Sequence, residues 1–60
     1  MRLLLTRKDG IKVIIPLLKV KLFERLIDDS TEFTFFDGKT LIVQEDEWYI
    51  HSLIQEMESA

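Results

Sequence analysis

The fold is decided by one stretch of the chain, Phe33-Thr34-Phe35-Phe36-Asp37-Gly38-Lys39-Thr40-Leu41-Ile42-Val43. Two runs rich in aromatic and β-branched residues flank Asp37-Gly38, a dipeptide that favours the positive φ angles of a tight hairpin turn. The pattern predicts two strands, over Phe33–Phe36 and Lys39–Val43, joined by a two-residue loop.

The N-terminal part of the chain repeats this arrangement. Asp9-Gly10 separates two apolar runs, Arg2–Arg7 and Ile11–Ile15. The second run contains Val13-Ile14-Ile15, and three successive β-branched residues suit a pleated strand better than a helix. A second tight hairpin is therefore predicted here.

The stretch between the hairpins fits two structures. Alternation of apolar residues with Lys19 and Lys21 favours a strand, whereas the apolar spacing after Pro16 also fits a helix. We favour a strand over residues 20–27, because residues 28–31 then form another hairpin turn.

The C-terminal segment has the spacing of an amphipathic helix. Asp46 is a suitable N-cap, with an acid in the first turn to complement the helix dipole. One face is predicted to be apolar at intervals of three and four residues, formed by Ile50, Leu53, Ile54 and Met57. Trp48 and Tyr49 are expected to widen this face.

The two-residue loops would leave both faces of each hairpin apolar. In the second hairpin they place Phe33, Phe35 and Ile42 on one face and Phe36, Leu41 and Val43 on the other. In the first, Leu3, Leu5 and Ile14 oppose Leu4, Val13 and Ile15. One helix covers only one side, so the other must curl into a barrel or meet a protein. Phe36, Leu41 and Val43 are the candidate apolar contact.

The expected fold class is accordingly α+β, in a single domain of 60 residues. It comprises a small antiparallel sheet of four to five strands, with two tight hairpins and a C-terminal amphipathic helix. A chain this short buries only about 60% of its unfolded surface, so a partner subunit is one route to adequate stability.

Charge is divided unevenly along the chain. Residues 1–25 hold seven basic groups against two acids, a net charge of +5, and residues 26–60 hold nine acids against Lys39, a net charge of −8. We expect the halves to neutralise each other across a sheet, because opposite charges often pair across strands. The alternative is a charged surface for a partner. The acidic candidates are Asp28, Asp29 and Glu32, and the basic candidates are Arg7, Lys8 and Lys12.

No constellation for catalysis, cofactor binding or metal binding is predicted. His51 is the single histidine, and its spacing from Glu47 and Gln55 fits an acid–base pair oriented by the carboxylate. Such a pair also needs a nucleophile, and Ser52 lies about 100° away around the helix, so a solvated histidine on the helix face is expected. The acids lack the spacing of a calcium loop, and the two glycines lie in separate turns rather than in a phosphate-binding loop. No signal peptide or membrane span is expected, and the absence of cysteine fits a cytoplasmic protein.

Several short motifs resemble the FlbD-like family of small proteins encoded in flagellar operons. Leu5-Thr6-Arg7 before Asp9-Gly10 is similar to that family's opening Leu-Thr-Arg-x-Asn-Gly, and Asp37-Gly38-Lys39 is similar to its Asn-Gly-Lys. Phe23-Glu24-Arg25-Leu26 and Val43-x-Glu45 resemble two further motifs. The resemblance supports a strand over residues 20–27. It implies a non-enzymatic accessory to motor function, with no catalytic residues to carry over.

The expected function is a non-catalytic protein-interaction module that acts as a homo-oligomer or caps a larger partner. A phage-type inhibitor that presents its acids to a nucleic-acid-binding protein is the first alternative. Nucleic-acid binding through the basic N-terminal half is the second, and it is weaker because the chain is acidic overall.

Overall fold

The structure is a computed structural model that describes residues 1–59, with side chains to residue 58. Its elements follow in chain order: β1 (Arg2–Thr6), β2 (Lys12–Pro16), a 3₁₀ turn (Leu17–Lys19), β3 (Val20–Arg25), β4 (Thr31–Phe35), β5 (Thr40–Val43) and α1 (Glu47–Ser59). The α+β class, the two hairpins and the C-terminal helix are confirmed.

The strands form two antiparallel sheets rather than one. β1 pairs with β2, and β3, β4 and β5 form a three-stranded meander in sequence order. A single bridge between Arg7 and Val43 joins the sheets at one corner. Within residues 1–59 the strands therefore do not close into a barrel.

The stretch that fitted either a strand or a helix is a strand. β3 covers most of the predicted range, and helical structure is limited to the single 3₁₀ turn before it. Phe23 on β3 lies opposite Phe33 on β4, with ring centroids 5.3 Å apart. This aromatic cross-strand pair fixes β3 against the meander.

All three hairpins use the same three-residue loop, at residues 8–10, 27–29 and 36–38. In each, the residue before the loop donates its backbone N–H to the carbonyl of the residue after it. The N–O distances are 2.8 Å from Arg7 to Ile11, 2.8 Å from Leu26 to Ser30 and 2.9 Å from Phe35 to Lys39. The predicted two-residue loops at Asp9-Gly10 and Asp37-Gly38 are therefore wrong by one residue.

Each loop has an aspartate in the middle and a left-handed residue at its end. The carboxylates of Asp9, Asp28 and Asp37 accept the backbone N–H two residues further on, at 2.9–3.1 Å. The left-handed residues that follow are Gly10 (φ 90°), Asp29 (φ 68°) and Gly38 (φ 90°). Three-residue hairpin loops characteristically end in a residue with positive φ. Asp29 is the non-glycine residue that fills the position.

The extra loop residue shifts the register of both hairpins by one position. Phe33 lies opposite Leu41 instead of Ile42, and Leu3 lies opposite Ile15. A shift of one residue turns a strand's side chains to the other face. Each hairpin consequently has one face that is more apolar than predicted and directed at the core.

The inward faces converge with the helix on one core. Its fully buried apolar members are Leu3, Leu5, Ile15, Phe33, Val43 and Ile50. Leu53, Ile54 and Met57 pack against this cluster, which confirms the predicted apolar face of α1. Trp48 and Tyr49 do not join it: Trp48 is 76% exposed and Tyr49 is about half exposed, so the prediction that they widen the core face is wrong.

The segment after β5 ties the meander to β1. Gln44 donates its backbone N–H to the Thr6 carbonyl at 2.7 Å, and the Thr6 N–H in turn donates to Glu45 Oε1 at 2.9 Å. The buried Thr31 hydroxyl donates to the Glu45 carbonyl at 2.9 Å. Asp46 then caps α1, accepting the Tyr49 N–H at 2.7 Å, and the predicted N-cap is confirmed. Among the described residues, no helix is long and apolar enough to span a membrane.

Candidate functional site

The predicted basic and acidic patches meet each other. Lys8 Nζ lies 2.5 Å from Asp28 Oδ2, and Arg7 pairs with Asp9 at 2.7 Å within its own loop. Arg25 pairs with Asp29 at 2.5 Å across the second loop. The charged residues that were predicted to bind a partner therefore partly pair with each other and with neighbouring residues at the turns.

The Asp28 side chain accepts three hydrogen bonds. Its carboxylate accepts hydrogen bonds from the Lys8 ammonium and from the Ser30 hydroxyl and backbone N–H. These donors, Lys8 first, hold the pKa of Asp28 well below its usual range. The Asp28 carboxylate therefore organises its own loop, and the Lys8 ammonium balances its charge.

Two of the predicted charged candidates lie elsewhere. Glu32 is on the outward face of β4, directly opposite Glu24 on β3 and Ile42 on β5. Lys12 is on β2 opposite Thr6, and its Nζ donates to the Thr6 hydroxyl at 2.8 Å. Glu32 is therefore on a strand, whereas Asp28 and Asp29 are in a loop, and Lys12 is on a strand apart from the ion pairs of Arg7 and Lys8.

The predicted apolar contact of Phe36, Leu41 and Val43 is not one surface. Val43 is 0% exposed and Leu41 packs against the core. Phe36 alone projects outward, 70% exposed, beside an open cleft of about 390 Å³ that Lys19, Phe35 and Asp37 also line. The corrected register is the reason, because it turns Leu41 and Val43 inward.

His51 lies at the border between α1 and β3. Its Nε2 is 3.8 Å from Glu47, and its ring centroid is 5.3 Å from that of Phe23. The neighbouring Ser52 donates its hydroxyl to the Trp48 carbonyl, one helical turn away. Among the described residues, no group of three or more His, Cys, Asp or Glu side chains is placed to hold a metal ion. The histidine thus packs beside Phe23 and lies near the Glu47 carboxylate.

One surface that the sequence reasoning missed lies on the outer side of β1 and β2. Leu4 and Ile14 are cross-strand partners, and both are 61% exposed. Arg2 and Lys12 flank them on the same side, because alternate residues of a strand share a face. We call this set (Arg2, Leu4, Lys12 and Ile14) the hairpin strip. It is an apolar centre between two cations.

The hairpin strip is the outer counterpart of a core face. Leu3, Leu5 and Ile15, on the other side of the same hairpin, are fully buried. A two-stranded sheet with apolar residues on both faces exposes one of them unless another surface covers it. In the described residues, no other element covers the outer side of Leu4 and Ile14.

A second missed surface is the outer side of α1. Trp48 lies two residues from the buried Ile50, so its side chain points about 160° away from the core. Tyr49, Ser52 and Glu56 share this exposed half of the helix. We call the set of Trp48, Tyr49, Ser52 and Glu56 the outer helix face.

The residue spacing in the sequence contains evidence for both surfaces. With a three-residue loop, Leu4 falls opposite Ile14, and Trp48 stands on the opposite side of the helical wheel from Ile50. The Asp-Gly dipeptide fits loops of either length, so the loop residues alone did not select the register.

No family model, curated protein or solved structure matches the chain. Its function is inferred from the chemistry of its surfaces.

Proposed function

We propose that the protein is a non-catalytic protein-interaction module that acts as an oligomer or by capping a larger partner, with the hairpin strip as its contact. The observation that carries this proposal is the pair Leu4 and Ile14, each 61% exposed, on a hairpin whose opposite face is already core. Covering the pair removes a compact apolar surface from water without rearranging the fold.

The pair has the energy to contribute to binding. Fully burying a Leu or Ile side chain is worth about 1.5–3 kcal/mol, and somewhat more than half of that remains available at these two residues. Two aliphatic anchors with a charged rim resemble the centre and edge of a small protein interface.

The setting we propose for this module is motility. That part depends on the motifs that resemble those of FlbD-like proteins, among them Asp9-Gly10 and Asp37-Gly38, which end two hairpin loops of the same kind in this chain. The two charge-based alternatives receive less support, because Asp28, Asp29, Lys8 and Arg7 all form ion pairs within the chain.

A paired set of variants tests the proposed contact. Leu4→Thr/Ile14→Thr keeps β-branched or β-favouring side chains but removes apolar surface from the strip. The matched control is Leu18→Thr/Ile27→Thr, which removes two even more exposed apolar side chains elsewhere. Thermal unfolding first establishes that both double variants fold.

Sedimentation of the pure proteins and capture of partners from the source cell then provide the measurements. We expect the strip variant alone to lose association, with itself or with its partner. A strip variant that associates like the wild type, in both measurements, would show that the hairpin strip is not the contact.

A further inference from the structure

We infer that the partner of the hairpin strip is a second copy of this chain, and that the strip of one copy binds the outer helix face of the next. This inference deepens the proposed function and rests on it. The two surfaces differ in sequence and in charge, so the contact is heterologous and joins copies head to tail.

The strip supplies positive charge that the chain does not neutralise. Arg7, Lys8 and Arg25 each pair with an aspartate. By contrast, Arg2 and Lys12 form no ion pair among residues 1–58. The apolar pair Leu4 and Ile14 therefore lies between two exposed cations that are available to pair with acids of another molecule.

The outer helix face supplies the complementary chemistry. α1 contains three glutamates (Glu47, Glu56 and Glu58) and no lysine or arginine. Trp48 and Tyr49 expose aromatic surface on the same helix, and Glu56 lies about two turns further along it. Trp and Tyr are enriched among the residues that anchor interfaces, and the Glu56 carboxylate of this face complements the cations of the strip.

The two surfaces cannot meet within one copy. Leu4 and Ile14 point away from the core to which Leu3 and Ile15 belong, and Trp48 points away from the same core, to which Ile50 belongs. Each surface is therefore directed outward and remains available to a neighbour. A head-to-tail contact covers both, and it makes a ring or an open chain according to the angle between successive copies.

Contact between two strips is disfavoured by their charge. An isologous dimer places the same patch of two copies face to face, so the strip would offer Arg2 and Lys12 no opposite charge across the interface. Like charges brought together at an interface cost binding free energy. The helix face removes this repulsion and replaces it with attraction.

A phosphate-rich partner fits the strip less well. Single-stranded nucleic acid is held by aromatic stacking and a basic groove, whereas the strip has aliphatic side chains and two cations. Anionic membranes are recognised by clusters of about four to eight basic residues. Two aliphatic side chains flanked by two cations are better suited to binding a protein surface.

A complementation experiment with the whole chain tests the inference. The strip variant is Leu4→Thr/Ile14→Thr, and the helix variant is Trp48→Ala/Tyr49→Ala. Glu56→Lys is a second helix variant that leaves the aromatic residues in place. Each variant is checked by thermal unfolding, and its mass is measured by analytical ultracentrifugation over a range of concentrations.

We expect wild-type protein to form oligomers that grow with concentration and dissociate as salt is raised. The strip variant and the helix variant should each be monomeric alone. An equimolar mixture should show a doubled mass, because the strip variant keeps an intact helix face and the helix variant keeps an intact strip. Glu56→Lys should shift association to higher concentration than in the wild type.

The outcomes separate this inference from the proposed function. A helix variant that still dimerises, while the strip variant does not, would assign the contact to two strips and overturn the head-to-tail arrangement. Monomeric wild-type protein that captures another protein through the strip would also overturn it, yet leave the proposed function standing. If neither self-association nor strip-dependent capture occurs, both are wrong.

Discussion

Lys8 and Asp28 are twenty residues apart in the chain, and their Nζ and Oδ2 atoms lie 2.5 Å from each other. The pair connects the first hairpin loop to the second. Together with Arg25–Asp29, it joins the basic first 25 residues to the acidic remainder. The uneven distribution of charge along the sequence is thus partly balanced in three dimensions, at turns rather than across paired strands.

We predict that Asp28→Asn lowers thermal stability near neutral pH and that the difference from wild type narrows in acid. Asparagine can still accept the Ser30 N–H, so the substitution mainly removes charge. The hydrogen bonds from Lys8 and Ser30 lower the pKa of Asp28 in the folded state. Its contribution is therefore complete above the unfolded Asp pKa of about 3.9 and is lost as the pH falls towards the lowered value.

Thermal unfolding of both proteins between pH 7 and pH 2 measures this difference. The two melting temperatures should stay a constant distance apart above about pH 5 and converge below about pH 4. A gap that widens on acidification would contradict the assignment.

Two equivalent loop positions with positive φ are predicted to respond to substitution with opposite changes in the free energy of unfolding. Gly38 has φ 90° and open space where a Cβ atom would lie, so Gly38→Ala meets no clash and suffers only from its backbone angle. We expect a cost of about 1–2 kcal/mol in the free energy of unfolding. Asp29→Gly should instead stabilise, by up to about 1 kcal/mol, since glycine relieves the same strain.

Loss of the ion pair with Arg25 offsets part of the second effect, and an exposed pair of this kind is worth at most about 1 kcal/mol. Arg25→Gln measures that loss separately. Urea unfolding of the three variants is the test. Destabilisation by Asp29→Gly beyond that of Arg25→Gln would contradict a strained loop position.

The loops also explain which parts of the fold the sequence predicts. The strands, the helix, its Asp46 cap and the strand over residues 20–25 depend on local patterns and are confirmed. Register depends on loop length, which Asp37-Gly38 leaves open. Core packing selects between the lengths: the three-residue loop puts Leu41 and Val43 beside Phe33, whereas the two-residue loop would turn both towards solvent.

The surfaces were harder to predict for the same reason. The predicted register was wrong by one residue. It therefore assigned Leu41 and Val43 to the outward contact and placed Leu4 and Ile14 on opposite faces of their hairpin. The ion pair of Lys8 with Asp28 also could not be predicted from the sequence, because it depends on how two distant loops approach each other rather than on any local spacing.

We predict that Thr31→Val costs about 1–3 kcal/mol in the free energy of unfolding, although the two side chains have nearly the same shape. The Thr31 hydroxyl is fully buried and donates to the Glu45 carbonyl. Valine would leave that partly buried acceptor without this partner. Thr40→Val, at an exposed strand position, is the control and should have little effect. Equal urea midpoints for the two variants would show that the Thr31 hydrogen bond is not stabilising.

We predict that Ile50→Ala is the most damaging alanine substitution in α1. Ile50 is fully buried against both sheets, and large-to-small changes at such sites cost about 2–5 kcal/mol. A 60-residue domain has a total stability of roughly 3–9 kcal/mol, so a substantial part of it would be lost. His51→Ala, one residue away but half exposed, should cost about 0.5 kcal/mol. The two variants are compared by urea unfolding, and a larger effect at His51 would show that its contact with Phe23 matters more than the core.

The last prediction concerns Glu32, which faces Glu24 directly across β3 and β4. Both side chains are on the outer side of the meander, and like charges at opposed positions of a sheet are destabilising. Glu32→Lys turns the repulsion into an opposite-charge pair and should raise the free energy of unfolding by about 0.2–1 kcal/mol. Glu32→Gln, which only removes the repulsion, should give a smaller increase.

The same substitution separates stability from partner binding. If an acidic surface that includes Glu32 binds a protein, Glu32→Lys will weaken capture of that protein while the fold becomes more stable. If the hairpin strip and the outer helix face form the contact, capture and self-association should be unchanged, because Glu32 belongs to neither surface. Urea unfolding, sedimentation and partner capture with this one variant therefore decide whether the repulsion between Glu24 and Glu32 accompanies a binding surface or is simply tolerated by the fold.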